Sequence, residues 1–217
     1  MNIAIIGAGN MGSALTQLVT RAGHNVQITA RNISRAAAVA AANQRTVAVP
    51  SKDAVRDASV VIVATAYADA IPALQSVGSL ADKVVIDITN PLSADFMSLT
   101  VGHDTSAAEQ IAKAIPSAHV VKAFNTLFAQ VLADGTAFAD EEIAPVFYAS
   151  DSERAKQTAK ALIESTGFKP VDAGGLRNAR YLEPLAGLNI YFGYGAGLGT
   201  KIAPTWIHKA ADAEVTT

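Results

Sequence analysis

The chemistry easiest to read lies in the first twelve residues. Gly7-Ala8-Gly9-Asn10-Met11-Gly12 is a G-x-G-x-x-G motif, preceded by the apolar run Ile3-Ala4-Ile5-Ile6 and followed by a helix-like segment over 13–22. Glycines at this spacing, between a strand and a helix, suit a dinucleotide. Gly7 makes the tight turn, Gly9 lets the backbone approach a pyrophosphate, and Gly12 lets the helix pack close to the strand. The helix then aims free N–H groups and its positive dipole end at the phosphates, with Asn10 and Met11 on the same loop.

The next positions choose between dinucleotides. An acid just past the second strand would bond a ribose 2′-hydroxyl, whereas arginine would accommodate a 2′-phosphate. Here the stretch is Thr29-Ala30-Arg31-Asn32-Ile33-Ser34-Arg35, with no acid. Arg31 and Arg35 are four apart and are expected on one face of a first helical turn. Two guanidinium groups can pair with a phosphate, so NADP(H) is expected. The competing reading is a pair of solvated arginines at a helix start.

Further strand ends converge on the same crevice, because such sheets bind ligands outside the carboxyl ends of their strands. They are Ala64-Thr65-Ala66-Tyr67, Asp87-Ile88-Thr89-Asn90-Pro91 and Lys122-Ala123-Phe124-Asn125-Thr126. The small residues Ala64, Thr65 and Ala66 let backbone lie along a cofactor. Tyr67 either covers the adenine side or is a packing tyrosine. The Asn125 amide can meet a carboxamide or orient a second ligand, and is equally a turn residue. Lys122 reads as a crevice wall. No proton-transfer residue stands out: His24, His103, His119 and His208 show no metal-ligand spacing and read as surface histidines, and no catalytic or metal residue is assigned. Hydride transfer between two stacked rings needs positioning rather than a protein acid. The redox partner is therefore expected to be a cofactor-like small molecule.

These residues need a frame. Strands are expected over 1–6, 25–30, 46–49, 59–64, 83–88 and 119–123, with helical segments over 34–43, 51–58, 69–77 and 109–114. Nearly continuous apolar strands alternating with helices imply a Rossmann-type, doubly wound parallel α/β sheet covered on both faces. A strand over 144–149, a helix over 152–165 and an edge strand over 168–172 follow, then a mostly helical stretch from Arg177. Polar residues and Gly135 cluster over 134–140. The expected division is a dinucleotide-binding domain over 1–135 and a small C-terminal α/β domain over 136–217, providing second-ligand and dimer contacts.

Composition narrows the remaining classes. Half of the 217 residues are hydrophobic, enough for a sizeable core, and the net charge is -2 with dispersed Lys and Arg. That argues against nucleic-acid or membrane-surface binding. Absence of cysteine excludes disulfides and thiolate chemistry. Residues 1–6 lack the basic flank and long apolar core of a signal peptide, so a cytoplasmic location is expected. The apolar stretch 185–207 carries Gly187, Gly193, Gly195, Gly197 and Gly199, but Asn189, Lys201 and Pro204 interrupt it. It reads as a subunit interface or a ligand-facing lid rather than a membrane span.

The arrangement resembles the F420H2:NADP+ oxidoreductase family, the NADPH-dependent reductases of the deazaflavin coenzyme F420. The resemblance covers most of the chain. It is carried by the glycine motif, Arg31 and Arg35, and Val120-Val121-Lys122-Ala123-Phe124-Asn125-Thr126. Its most specific part is Asp172-Ala173-Gly174-Gly175-Leu176-Arg177-Asn178-Ala179-Arg180, then Leu182-Glu183 and Gly197-Leu198-Gly199. The resemblance implies a homodimer and a deazaflavin stacked on the nicotinamide, with Ile88, Asn90, Pro91, Asn125, Leu127 and Leu198 on the second-ring side. The chain departs from that family at Ala30, Asn125 and Ala66-Tyr67, where a serine, a histidine and a tryptophan–proline wall are usual. The Lys122-Ala123-Phe124-Asn125 stretch is closer to the cytosolic domain of the STEAP metalloreductases, which pass hydride from NADPH to a flavin. Residues 6–15 also resemble pyrroline-5-carboxylate reductase, implying an imine reductase, and a non-catalytic NADP(H) sensor on the same fold is a further alternative.

Overall fold

The structure, a computed structural model, describes residues 1–136, 138 and 142–207. The chain opens with β1 (Asn2–Ile6), α1 (Asn10–Arg21), β2 (Asn25–Thr29), α2 (Ile33–Ala42) and β3 (Thr46–Ala48). After a 3-10 turn at Ser51–Asp53 come β4 (Val60–Val63), α3 (Tyr67–Gln75), β5 (Val84–Asp87), α4 (Ala107–Ala114) and β6 (His119–Ala123). Then follow α5 (Ala129–Asp134), β7 (Pro145–Ala149), α6 (Glu153–Ser165), β8 (Lys169–Asp172) and α7 (Ala179–Ile190), which runs into a π turn at Tyr191–Gly195.

The strands form one sheet in the order β3-β2-β1-β4-β5-β6-β7-β8. All neighbours are parallel except β6 and β7. The order reverses between β1 and β4, the switch point at which such sheets open a crevice. The Rossmann-like α/β architecture matches the sequence expectation; α5 and the antiparallel β6–β7 pairing are additional features. The 135/136 division falls between α5 and β7, and β7 and β8 extend the sheet of the preceding strands. Part of that connection, like His208, lies outside the described residues.

Alternation along the strands supplies two cores. Ile3, Ile5, Ile28, Ile62 and Ile86 face Leu15 and Val19 of α1 and Leu162 and Ile163 of α6. Ala4, Val61, Val63 and Val85 face Leu74 of α3 and Ile111 of α4. With both faces of the central strands covered, the ladder is dry and the strand ends are held rigidly. Ser152 caps α6, its hydroxyl accepting from the Ala155 N–H. No helix among the described residues is long and apolar enough to cross a membrane.

Candidate dinucleotide site and its buried charge cluster

A cavity of about 720 Å³ opens at the carboxyl ends of β1, β2 and β4. The β1–α1 turn forms its floor. Gly7 has φ +118°, and a Cβ there would overlap the Ala64 carbonyl. A Cβ on Gly12 would overlap the Gly7 carbonyl. Both glycines are therefore demanded by the fold itself. Gly9 is different: its φ is -84°, and a Cβ would meet nothing within 4 Å. Neither conformation nor packing requires glycine there, and Gly9 lines the cavity. The N-terminus of α1 has no side-chain cap, which suits an anion there.

Arg31, Asn32, Arg35, Ala64, Thr65 and Ala66 line the same cavity as Gly7 and Gly9. The two arginines reach it differently from expectation. Asn32 is the N-cap of α2, its side chain accepting from the Ser34 N–H at 3.0 Å, so Arg31 precedes the helix and only Arg35 is on it. Convergence comes from the β2–α2 bend rather than from one helical face. Arg31 pairs with Asp69 at 3.2 Å. The expected set omits Asp69 and Ser51, which also line the cavity. Both follow the carboxyl ends of strands, β4 and β3, which is the signal that marks them. The two arginines, the glycine cradle and the lack of an acid just past β2 fit an NADP(H) dinucleotide.

The other strand ends carry a buried charge cluster. Lys122, at the end of β6, is fully buried. Its Nζ donates to Asp87 Oδ2 at 2.7 Å and to Thr89 O at 2.5 Å, and lies 2.8 Å from Glu183 Oε1. Glu183, from α7, accepts the Ala107 and Ala108 N–H groups at 2.9 and 3.2 Å, at the N-terminus of α4. Lys122 is thus no crevice wall, because a buried ammonium must be paired and these carboxylates pair it. Arg180 makes a two-point bond to Glu109 at 2.7 and 2.9 Å, holding α7 on α4. The Arg180 guanidinium beside Glu109 lowers that carboxyl's pKa.

Directly beside the cluster, Asn125 Nδ2 donates to Asn90 Oδ1 at 3.0 Å and to Leu182 O at 2.9 Å, while Asn90 Nδ2 donates to Asn125 O at 3.0 Å. These partners assign the amide orientation and leave Asn125 Oδ1 buried without a partner among the described residues. The Thr89 and Thr126 hydroxyls are likewise unpartnered. Phe124, fully buried, has φ 60°. A bulky residue in that region is strained, and such strain collects at functional sites.

The remaining expected residues are distributed around this frame. Tyr67 begins α3 and donates to Gln110 Oε1 at 2.6 Å. Pro91 and Ala123 are buried at the ends of the β5 and β6 segments. Asn10 lines a neighbouring cavity of about 650 Å³ with Phe128 and Tyr194, and Met11 packs against the core. Leu198 is 63% exposed on the segment after the π turn; its N–H donates to Phe192 O at 3.0 Å. None of these six lines the 720 Å³ cavity. Two histidines depart from the surface reading: His24 is buried, its Nε2 2.8 Å from Ser165 Oγ, and His119 is half-buried in β6. No group of potential metal ligands occurs among the described residues.

Comparison with known proteins identifies the family. A family model described as NADP oxidoreductase, coenzyme F420-dependent, matches residues 2–91. The chain is 30% identical over 210 residues to the F420-dependent NADP reductase of Methanothermobacter marburgensis, covering 88% of this chain and 91% of that protein. It is 28% identical over 184 residues to metalloreductase STEAP3 of Rattus norvegicus, covering 84% of this chain but 36% of that protein, so it spans about a third of that relative's length. Among solved structures, a provisionally described F420-dependent NADP reductase from Arthrobacter sp. FB24 superposes with a TM-score of 0.82 at 27% identity, covering 92% of this chain and 96% of that one. With a relative at this identity over nearly its whole length, the chain belongs to the F420-dependent NADP reductase family and is an NADP-dependent oxidoreductase.

Proposed function

We propose that this protein transfers a hydride between NADP(H) and a deazaflavin, coenzyme F420, or a flavin-like ring. The observation that carries the reading is the one cavity uniting the Gly7–Gly9 turn with Arg31 and Arg35, in a chain of which 88% is matched by an F420-dependent NADP reductase. The dinucleotide's pyrophosphate lies on Gly9 and the α1 N-terminus, and its 2′-phosphate is held by Arg31 and Arg35 with Asn32 alongside. Asn125 Oδ1, buried and without a partner among the described residues, would accept from the dinucleotide's carboxamide. When bound, the nicotinamide supplies or receives the hydride. The protein's own work is positional: Asn90, Pro91 and Asn125 hold one ring, and Leu198 closes over the other. Reduction of the acceptor ring takes the hydride and one proton; solvent supplies that proton, so no protein acid is needed. The part from β7 onward, which continues the same sheet, gives the second-ring and dimer contacts.

The test is a parallel assay of purified protein with NADPH against F420, FMN, FAD and ferric chelates. Turnover with F420 or a flavin supports the reading. Turnover confined to an imine or carbonyl substrate rejects it, as does tight NADPH binding with no acceptor reduced.

A further inference from the structure

We propose that the buried Asp87–Lys122–Glu183 cluster sets the redox preference of the bound dinucleotide. Its net negative charge stabilises the cationic nicotinamide of NADP+ over the neutral ring of NADPH, and so favours hydride leaving NADPH. This rests on the reading that the nicotinamide lies at the Asn90–Asn125 end of the crevice.

The charge count is direct. Two carboxylates share one ammonium, and none of the three side chains is more than 1% exposed. The formal sum is one negative charge. The α4 N-terminus, which donates to Glu183, offsets roughly half a unit, so a negative balance remains. Arg180 does not cancel it, being bound to a carboxylate of its own, Glu109. Away from water this charge is weakly screened.

Two links tie the cluster to the Asn90–Asn125 pair. Thr89 O accepts from Lys122, and the next residue, Asn90, accepts from Asn125. Leu182 O accepts from Asn125, and the next residue, Glu183, meets Lys122. Tyr67 feels the same field: after burial, the charges of Glu183 and Asp87 raise its hydroxyl pKa, with Lys122 opposing.

NADP+ and NADPH differ at the ring by one positive charge, so the ratio of their dissociation constants isolates this effect from packing. The experiment titrates wild type, Glu183→Gln and Glu183→Asp with each dinucleotide, without acceptor. Wild type is expected to bind NADP+ at least as tightly as NADPH. Glu183→Gln should shift the ratio toward NADPH about tenfold, equivalent to about 30 mV in the potential of the bound couple. Glu183→Asp keeps the charge and should keep the ratio. Asp87→Asn serves as a second neutralising variant if Glu183→Gln does not fold. A ratio unchanged or shifted toward NADP+ in either folded neutral variant overturns the inference. If neither folds, wild type binding NADPH more than about tenfold tighter than NADP+, 1.4 kcal/mol, overturns it. Arg31→Ala separates the two levels. Weakened binding of both dinucleotides there, with an unmoved ratio in Glu183→Gln, rejects the inference alone. Unweakened binding in Arg31→Ala rejects the site reading and the inference with it.

Discussion

Lys122 Nζ and Glu183 Oε1 stand 2.8 Å apart, joining β6 to α7 with both side chains out of solvent. Removing one partner of a buried pair leaves charges without compensation, typically costing 3–5 kcal/mol. Lys122→Met leaves two carboxylates facing each other and is expected to lose about that much. Urea unfolding measures it; a loss below about 1 kcal/mol would mean that water reaches the cluster.

The glycines of the first turn separate folding from binding. Gly9→Ala meets open space, so the melting temperature should hold while NADPH affinity drops. Gly12→Ala collides with the Gly7 carbonyl, so both should fall. Thermal melts beside NADPH titrations distinguish the two, and full-strength binding by a folded Gly9→Ala protein would move the pyrophosphate elsewhere.

Preference for NADPH over NADH should depend on Arg31. A charge-assisted phosphate contact is worth about 1.5–3 kcal/mol, so Arg31→Ala should lower NADPH affinity by roughly ten- to a hundredfold and leave NADH nearly unaffected. Equal wild-type affinities for the two dinucleotides would contradict the assignment.

Burial lowers the pKa of His24. The folded state disfavours the imidazolium relative to the unfolded chain, which protonates near 6.5. As pH falls through 6.5 the unfolded state binds the proton first, so the stability His24 contributes is complete above that pH and is lost below it. Urea midpoints at pH 7.5 and 5.5 should differ for wild type, and less so for His24→Gln. An identical pH response in the two proteins would place the sensitivity in another group.

Tyr191, Tyr194 and Leu198, on and just after the π turn, are each more than half exposed. Apolar area of this kind usually marks an interaction surface. Light scattering at micromolar concentration should return twice the chain mass, and Tyr194→Asp should shift the population toward the monomer.

The sequence by itself determined what depends on neighbours along the chain. Strand, glycine turn and helix at the start, the lack of an acid just past β2, and the helix over 152–165 are short-range features, readable from spacing and residue type. Lys122 illustrates the opposite case. Alone, a lysine at a strand end looks like crevice lining. Its burial depends on Asp87 from the next strand and on Glu183, whose bond to Ala107 spans 76 residues of chain. The meeting of Asn125 with Asn90 and Leu182 O, and of Arg31 with Asp69, has the same origin. Periodicity reports which face of an element is apolar, but which polar side chains meet is decided when the sheet order brings distant strand ends together. Only there do a buried ammonium and its carboxylates find the low-dielectric contact that makes them a unit.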